Sequence, residues 1–158
     1  MRHTERAFTL IELMVVVAIL GILTTLGYPS FERAVRHRAL DAAAHGAATT
    51  VNQARYLAMT KRKYMSVYIS NNSFIVRPDN NTNLVLFRYP NNPSAKIDSK
   101  IKLENSNWVK FSPTALLVDG NKLPTSSVSI TLTDTVTNEA ITVAINAVGA
   151  IEFIRSGG

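Results

Sequence analysis

One carboxylate stands inside the most apolar stretch of the chain. Glu12 lies in a run from Phe8 to Tyr28 that otherwise holds apolar, small or hydroxyl side chains, and only seven residues precede the run. An ionised side chain in hydrocarbon is costly, so an acid at such a position is a functional-site hypothesis that needs a named partner. The nearest natural partner is the amine of a chain N-terminus. Glu12 therefore predicts charge pairing in an apolar environment.

The other residues that could perform chemistry do not form a catalytic set. His37 and His45 lie eight residues apart on the polar side of a predicted helix, too far for two metal ligands on one turn, and both are predicted to be solvated. The chain has no cysteine, no glycine-rich phosphate loop and no histidine paired with a serine. We expect no enzyme activity, no metal and no cofactor.

A basic cluster precedes the first predicted strand. It consists of Arg55, Lys61, Arg62 and Lys63. The cluster could contact DNA or phospholipid head groups, together with head lysines such as Lys100 and Lys102. Favourable interaction with the helix macrodipole at its C-terminus is the simpler explanation, and we favour it.

Charge is concentrated on the predicted helix. Residues 31–63 contain seven basic and two acidic side chains, whereas residues 64–158 contain eight basic and seven acidic side chains. The head is close to neutral, and this weakens a general nucleic-acid-binding interpretation, which requires clustered Lys or Arg.

A long helix must carry Glu12. The run Phe8 to Tyr28 would be about 31 Å long as a helix, enough to cross a bilayer core of about 30 Å. Beyond Pro29, small apolar residues recur mostly every three or four positions, which predicts that the helix continues to about Thr60. The members of this stripe are Phe31, Val35, Leu40, Ala44, Ala47, Val51, Ala54 and Ala58. Pro29 lacks an amide hydrogen, so we expect a bend or an unwound turn there.

From Tyr64 onward the apolar period changes to two and turn residues become frequent, which predicts an α+β chain with an antiparallel sheet. The predicted strands are Tyr64–Ile69, Ser73–Arg77, Leu84–Arg88, Ile101–Leu103, Trp108–Phe111, Val128–Leu132, Ile141–Asn146 and Ala150–Ile154. The segment Ser70-Asn71-Asn72 predicts a hairpin in which Asn takes positive φ.

The block Arg6-Ala7-Phe8-Thr9-Leu10-Ile11-Glu12-Leu13 resembles a type IV pilin or type II secretion pseudopilin precursor. The resemblance implies cleavage between Ala7 and Phe8 by a prepilin peptidase, N-methylation of Phe8, and neutralisation of a neighbour's Phe8 ammonium by Glu12. Gly21 and Pro29 stand where many pilins have a helix-loosening Gly and a kinking Pro. Ala7 replaces the usual Gly before the cut.

Two other kinds of N-terminal segment share the basic start and the apolar run. A Sec signal peptide could be cut after Gly27, and a plain signal anchor would not be cut at all. A Sec signal gains nothing from an acid near the start of its apolar core, so Glu12 favours the pilin interpretation. Arginines flank both ends of the run, so the positive-inside rule does not settle orientation. We take the leader to be cytoplasmic from the resemblance.

A second resemblance lies at the helix end. The segment Ala54-Arg55-Tyr56-Leu57-Ala58, Lys61-Arg62, the strand from Tyr64 and the final hairpin resemble the GspH/FimT group of minor pilins and pseudopilins. Some FimT-like proteins have a Gly-Arg-x-Arg motif in this hairpin that contributes to DNA binding. Here the matching positions are Gly149, Ala150, Ile151 and Glu152, which contain no arginine, and Arg155 is predicted to be a solvated charge. The last hairpin therefore does not support DNA binding.

These resemblances imply a domain organisation and a role in assembly. We expect a leader at residues 1–7, a transmembrane or filament-core half-helix at 8–29, an amphipathic half-helix at 30–63 and a β-rich head at 64–158. The implied function is that of a minor pilin in type IV pilus assembly or initiation, with pilus-linked DNA uptake as an extension. A GspH-like pseudopilin and a DNA-binding module displayed on the pilus remain alternatives.

The implied partners are other minor and major pilins or pseudopilins, the prepilin peptidase and N-methyltransferase, the inner-membrane assembly platform and the lipid bilayer. The implied location is the bacterial inner membrane, crossed once with the head in the periplasm, and then the filament. Small residues such as Ala18 and Gly21 would favour helix association in lipid.

Overall fold

The computed structural model describes residues 9–81, 83–105 and 109–157. The predicted cleavage site at Ala7 and Phe8, and Trp108, lie outside these residues. The chain divides into two compact units, Met1–Val35 and Arg36–Gly158, and the boundary falls within the single helix of the described residues. The two units are described separately below.

The helix, α1, extends over Leu10–Lys61 and confirms the long helix that the sequence predicts. It is assigned as helix without interruption through Pro29, so an unwound turn is not observed there. Within the part of the chain that the structure describes, α1 contains no segment with both the length and the apolarity that a bilayer crossing requires. The membrane span expected for residues 8–29 therefore stays a prediction.

The first of two antiparallel sheets contains the hairpin that follows the helix. Its strand order is β3-β2-β1-β5-β6. The strands are β1 Met65–Ile69, β2 Phe74–Pro78, β3 Phe87–Tyr89, β5 Val109–Phe111 and β6 Leu117–Val118. The turn between β1 and β2 has Asn71 and Asn72 at φ 50° and 51°, which confirms the predicted Asn hairpin.

The second sheet has the order β4-β7-β8-β9. The strands are β4 Ile101–Asn105, β7 Ser127–Asp134, β8 Ala140–Asn146 and β9 Ile151–Ser156. In β7 and β8 buried residues alternate with more exposed ones, because successive side chains of a strand point to opposite faces. Helix and antiparallel sheets together confirm the α+β fold class.

The core lies within the second unit. The apolar stripe of α1 is buried from Leu40 onward and packs with side chains of both sheets, including Phe74, Phe111, Ile130 and Val143. Phe31 and Val35, predicted on the same stripe, are exposed instead. The two residues belong to the first unit.

Gly46 allows a close approach between the helix and the first sheet. A Cβ atom on Gly46 would lie 2.0 Å from Cε1 of Tyr89, and the Tyr89 hydroxyl donates a hydrogen bond to the Ala42 carbonyl at 3.1 Å. The aromatic ring therefore lies directly against the helix backbone, and the side chain of any larger residue at position 46 would overlap with the ring.

Two details of the predicted strands are wrong. The strand predicted over Leu84–Arg88 is shifted to β3, Phe87–Tyr89, because the ladder with β2 begins only at Phe87. The two-residue strand β6 was not predicted. It is paired with β5 through Lys110↔Val118 and Phe111↔Leu117, a tertiary pairing too short to leave an alternation in the sequence.

Candidate functional site

Glu12 participates in a local hydrogen-bond motif at the start of α1. The backbone N–H and the hydroxyl of Thr9 both donate to Oε2 of Glu12, at 2.9 and 3.0 Å, and the Glu12 N–H donates to the Thr9 hydroxyl at 3.3 Å. This is a capping box, in which an N-cap Thr and the Glu three residues later satisfy each other's amides. The Thr-x-x-Glu spacing is visible in the sequence, although only the charge of Glu12 was interpreted there.

The apolar side chains around Glu12 are exposed within their own unit. From Leu10 to Leu23 the large apolar residues have between 48% and 75% of their surface accessible. Apolar patches of this extent mark sites of interaction with other proteins or with membranes. Ala18 and Gly21 lie in the same segment and are also exposed, and a Cβ atom on Gly21 would meet nothing within 4 Å.

The residues of the predicted basic cluster do not all lie at one site: Arg62 and Lys63 line a pocket, and Arg55 and Lys61 do not. Arg62 has φ 52°, and its N–H donates to the Met59 carbonyl while the Lys63 N–H donates to the Ala58 carbonyl, at 3.3 and 3.2 Å. This pair of bonds is a Schellman motif. Backbone amides, and not the basic side chains, therefore satisfy the last carbonyls of α1.

Two members of the cluster line a pocket with residues that the sequence did not single out. The pocket has a volume of about 240 Å³. Its lining residues are Arg62, Lys63, Tyr64, Asp79, Asn80, Pro113 and Lys122. The helix end and the turn of Lys122 lie about sixty residues apart in the chain and line the same pocket. Their proximity depends on the tertiary structure, so no local sequence pattern predicts it.

An ion pair lies next to this pocket. Nζ of Lys110 is 2.8 Å from Oδ1 of Asp79, and the side chains are only 9% and 19% exposed. Nζ of Lys122 lies farther from Asp79, 3.8 Å from Oδ2, and the Ser66 hydroxyl donates to Oδ1 at 3.3 Å. Burial raises the pKa of Asp79, but the hydrogen bond and charge of Lys110, with Ser66 and Lys122, outweigh it and lower the pKa below its ordinary value.

Arg55 is separate from the other basic residues of the cluster. Its side chain packs against Gly149 at the last turn, where a Cβ atom would lie 2.9 Å from Cδ of Arg55 and 3.3 Å from Phe111. Gly149 has φ 77°, so its backbone conformation also favours glycine. Lys100 and Lys102 lie near β4, and Lys102 pairs with Glu104 at 2.7 Å. Neither lysine lines the pocket.

His37 and Arg155 are exposed, and they also form ion pairs that the sequence did not predict. His37 Nδ1 lies 2.9 Å from Oε2 of Glu139, and Nη1 of Arg155 lies within 2.8 Å of both His37 ring nitrogens. The other Arg155 terminal nitrogen pairs with Asp41. These charges connect β9 to α1, where the His45 and Phe153 rings also meet at 5.1 Å. Asp41 and Arg155 carry opposite charges, but they lie 114 residues apart in the sequence, so no local pattern indicated that they pair.

Comparisons with known proteins find a matching family motif at the N-terminus and a similar pilin sequence. The prokaryotic N-terminal methylation motif matches residues 2–28. The chain is 30% identical over 105 residues to the type IV major pilin protein PilE1 of Neisseria gonorrhoeae, an alignment that covers 66% of this chain and 51% of that protein. The chain thus spans about half the length of this curated relative.

Two crystal forms of the type IV minor pilin FimU of Pseudomonas aeruginosa have a similar fold. In the first, the TM-score is 0.56 at 14% identity, with 75% of this chain and 90% of that chain covered. In the second, the TM-score is 0.54 at 13% identity, with 73% and 92% covered. The chain therefore has the fold of FimU. It also carries the N-terminal methylation motif, and its sequence is similar to that of a type IV major pilin.

Proposed function

We propose that this chain is a minor pilin that takes part in the assembly or initiation of a type IV pilus. The observation that carries the proposal is the exposed apolar stretch of α1, with Glu12 as its one acid, inside the segment 2–28 that matches the methylation motif. A head that only had to fold would not need these fourteen residues, Leu10 to Leu23. Neighbouring helices in a filament core, and lipid before assembly, would remove them from water.

Glu12 is proposed to neutralise the Phe8 ammonium of a neighbouring subunit. Leaving either charge alone in an apolar bundle would be costly, and pairing removes most of that cost. The capping box is compatible with this role, because both Thr9 bonds end on Oε2 and none within the described residues ends on Oε1. One carboxylate can thus cap its own helix and accept a bond from another chain.

The remaining steps follow from the same proposal. The prepilin peptidase removes residues 1–7 and methylates Phe8, residues 8–29 hold the chain in the inner membrane, and the head of residues 64–158 stays in the periplasm. Residues 30–63 form the half-helix beneath that head. Gly21 and Pro29 loosen the helix while the subunit enters the filament. The assembly platform and other pilins are the partners.

Mass spectrometry of the chain from producing cells tests the processing step. We expect the mature chain to begin at methylated Phe8, and Ala7→Leu to accumulate as uncut precursor because the small side chain is lost. Ala7→Gly is the matched control, since it keeps a small residue and should be processed normally. A chain cut after Gly27, or an uncut chain in every variant, would contradict the proposal.

A GspH-like pseudopilin of a type II secretion system is the nearest alternative, because it would use the same N-terminal chemistry. The likeness of fold to FimU supports the pilus version. Deletion of the gene discriminates between the two: loss of surface pili with normal protein secretion favours the minor pilin, and the reverse favours the pseudopilin. DNA binding and a part in DNA uptake remain predictions without support from the last hairpin.

A further inference from the structure

The pocket at the end of α1 collects more positive charge than its acid neutralises. Arg62, Lys63 and Lys122 line the pocket, Lys110 lies next to it, and Asp79 is the one carboxylate in the lining. Asp79 is paired closely with Lys110, at 2.8 Å in a largely buried contact. Three basic residues therefore line the pocket beside one carboxylate that is already paired.

The three cations differ in how much of their charge is already paired. The Lys122 side chain is half exposed, and its ammonium lies 3.8 Å from Asp79 and 5.2 Å from the Tyr64 ring centroid. For Arg62 and Lys63 no ion pair exists in the part of the chain that the structure describes. Both side chains are exposed at the pocket. The excess of positive charge in the lining of the pocket favours the binding of an anion.

Capping hydrogen bonds do not involve these side chains, although their charges interact favourably with the C-terminal end of the helix macrodipole. The Schellman bonds come from the backbone amides of Arg62 and Lys63, and glycine is the usual residue at the position of Arg62. Arg62 and Lys122 both have positive φ, 52° and 67°, a conformation that is unfavourable for a non-glycine residue. Basic residues occupy two positions where glycine would be more stable, and both residues line one pocket.

We propose that this pocket binds a phosphate oxyanion. A guanidinium presents paired N–H donors that match phosphate oxygens, and lysine ammonium groups add point charges from two other directions. The volume of about 240 Å³ accommodates one such group with water. Its source is either free phosphate or a phosphodiester of a nucleic-acid chain. No residue of the first unit takes part, so the proposal is independent of the assembly function.

Isothermal titration of the full-length chain in a neutral detergent tests the proposal, with inorganic phosphate and a short thymidine oligonucleotide as separate probes. We expect at least one probe to bind, and Arg62→Gln combined with Lys63→Gln to raise its Kd about tenfold or more, since hydrogen bonds to charged groups are lost. Lys102→Gln is the matched control. It removes one exposed lysine that is paired with Glu104 and should leave Kd unchanged.

The outcomes separate the sources. If inorganic phosphate binds, free phosphate is a ligand of the pocket. If only the oligonucleotide binds, the ligand is the phosphodiester of a nucleic-acid chain. The proposal is overturned if neither probe binds or if the double variant binds with the Kd of the unaltered chain. It is also overturned if sodium glutamate displaces the bound probe as effectively as sodium phosphate does at equal ionic strength, because the pocket would then not distinguish phosphate from a carboxylate. Circular dichroism of each variant confirms that the fold is intact.

Discussion

The two halves of α1 belong to one helix but have opposite surroundings within their own units. Between Leu10 and Leu23 the large apolar side chains are at least 48% exposed, whereas Leu40, Val51 and Ala54 are fully buried. The difference shows that apolar residues serve two purposes in one element. Those of the second half stabilise the head, and those of the first half do not stabilise anything within the described chain.

The residue types explain the contrast. The first half carries large apolar residues on every side of the helix, which is typical of a helix surrounded by lipid or by other helices. The second half has a stripe of small residues, mostly alanine, with polar residues around it. Small side chains let sheet residues such as Phe74 and Phe111 approach the helix closely.

The largest difference between the halves should appear in a pair of glycine substitutions. Gly46→Ala places a methyl group where the Tyr89 ring lies, so we expect the free energy of unfolding to fall by about 2–3 kcal/mol through overpacking. Gly21→Ala has open space and should not lower that free energy, since helix propensity favours alanine by up to about 1 kcal/mol. Urea denaturation followed by circular dichroism measures both. Equal effects would break the comparison.

A second pair examines the contact between the second half of α1 and the last turn. Gly149→Ala introduces both an unfavourable positive φ and a close contact with Arg55, so we expect a loss of about 1–2 kcal/mol. Gly120→Ala, in the turn after β6, meets no atom within 4 Å and is the control. The comparison needs revision if Gly120→Ala destabilises the head as much as Gly149→Ala does.

Acid should weaken the head through Asp79. Because its folded-state pKa is lowered, the ionised carboxylate stabilises the head above the ordinary Asp pKa of 3.8, and this contribution is lost as pH falls through the lower folded value. We expect a loss of about 1.5 kcal/mol, the contribution of a charged hydrogen bond. Urea midpoints measured from neutral to acidic pH test this. Asp79→Asn should have a lower stability at neutral pH and a flatter profile, and an unchanged profile would contradict the assignment.

The smallest expected effect is a gain in stability. Arg62→Gly relieves the left-handed conformation at the end of α1, so the free energy of unfolding should rise by up to about 1 kcal/mol while phosphate binding weakens. Lys61→Gly, on the last helical residue, should instead lower stability. Thermal unfolding and the titration described above measure the two properties. A loss of stability in Arg62→Gly would show that the side chain itself supports the head.

The elements that the sequence predicted well have strong local signals. The extent of α1 and the Asn71-Asn72 hairpin follow from apolar spacing and turn chemistry, which are local properties. The shift of β3 and the two-residue β6 were not predicted, because their position depends on pairing with β2 and β5.

The candidate sites show the same division. Glu12 was recognisable from its own neighbours, and its capping partner Thr9 lies three residues away. The ionisable partners of Asp79, Lys122 and Arg155 lie 31 to 118 residues away and were not predicted. Long-range ion pairs have no spacing rule, so only the structure brings them together.

The central claim is that the first half of α1, through Glu12, serves assembly and not folding. Its most direct measurement compares Glu12→Ala with the unaltered chain, by immunoblotting sheared pili and by urea unfolding of the same proteins. Glu12→Ala should lose incorporation into the filament while the unfolding midpoint of the head stays the same. Normal incorporation of Glu12→Ala, or its loss only because the head unfolds, would contradict the account.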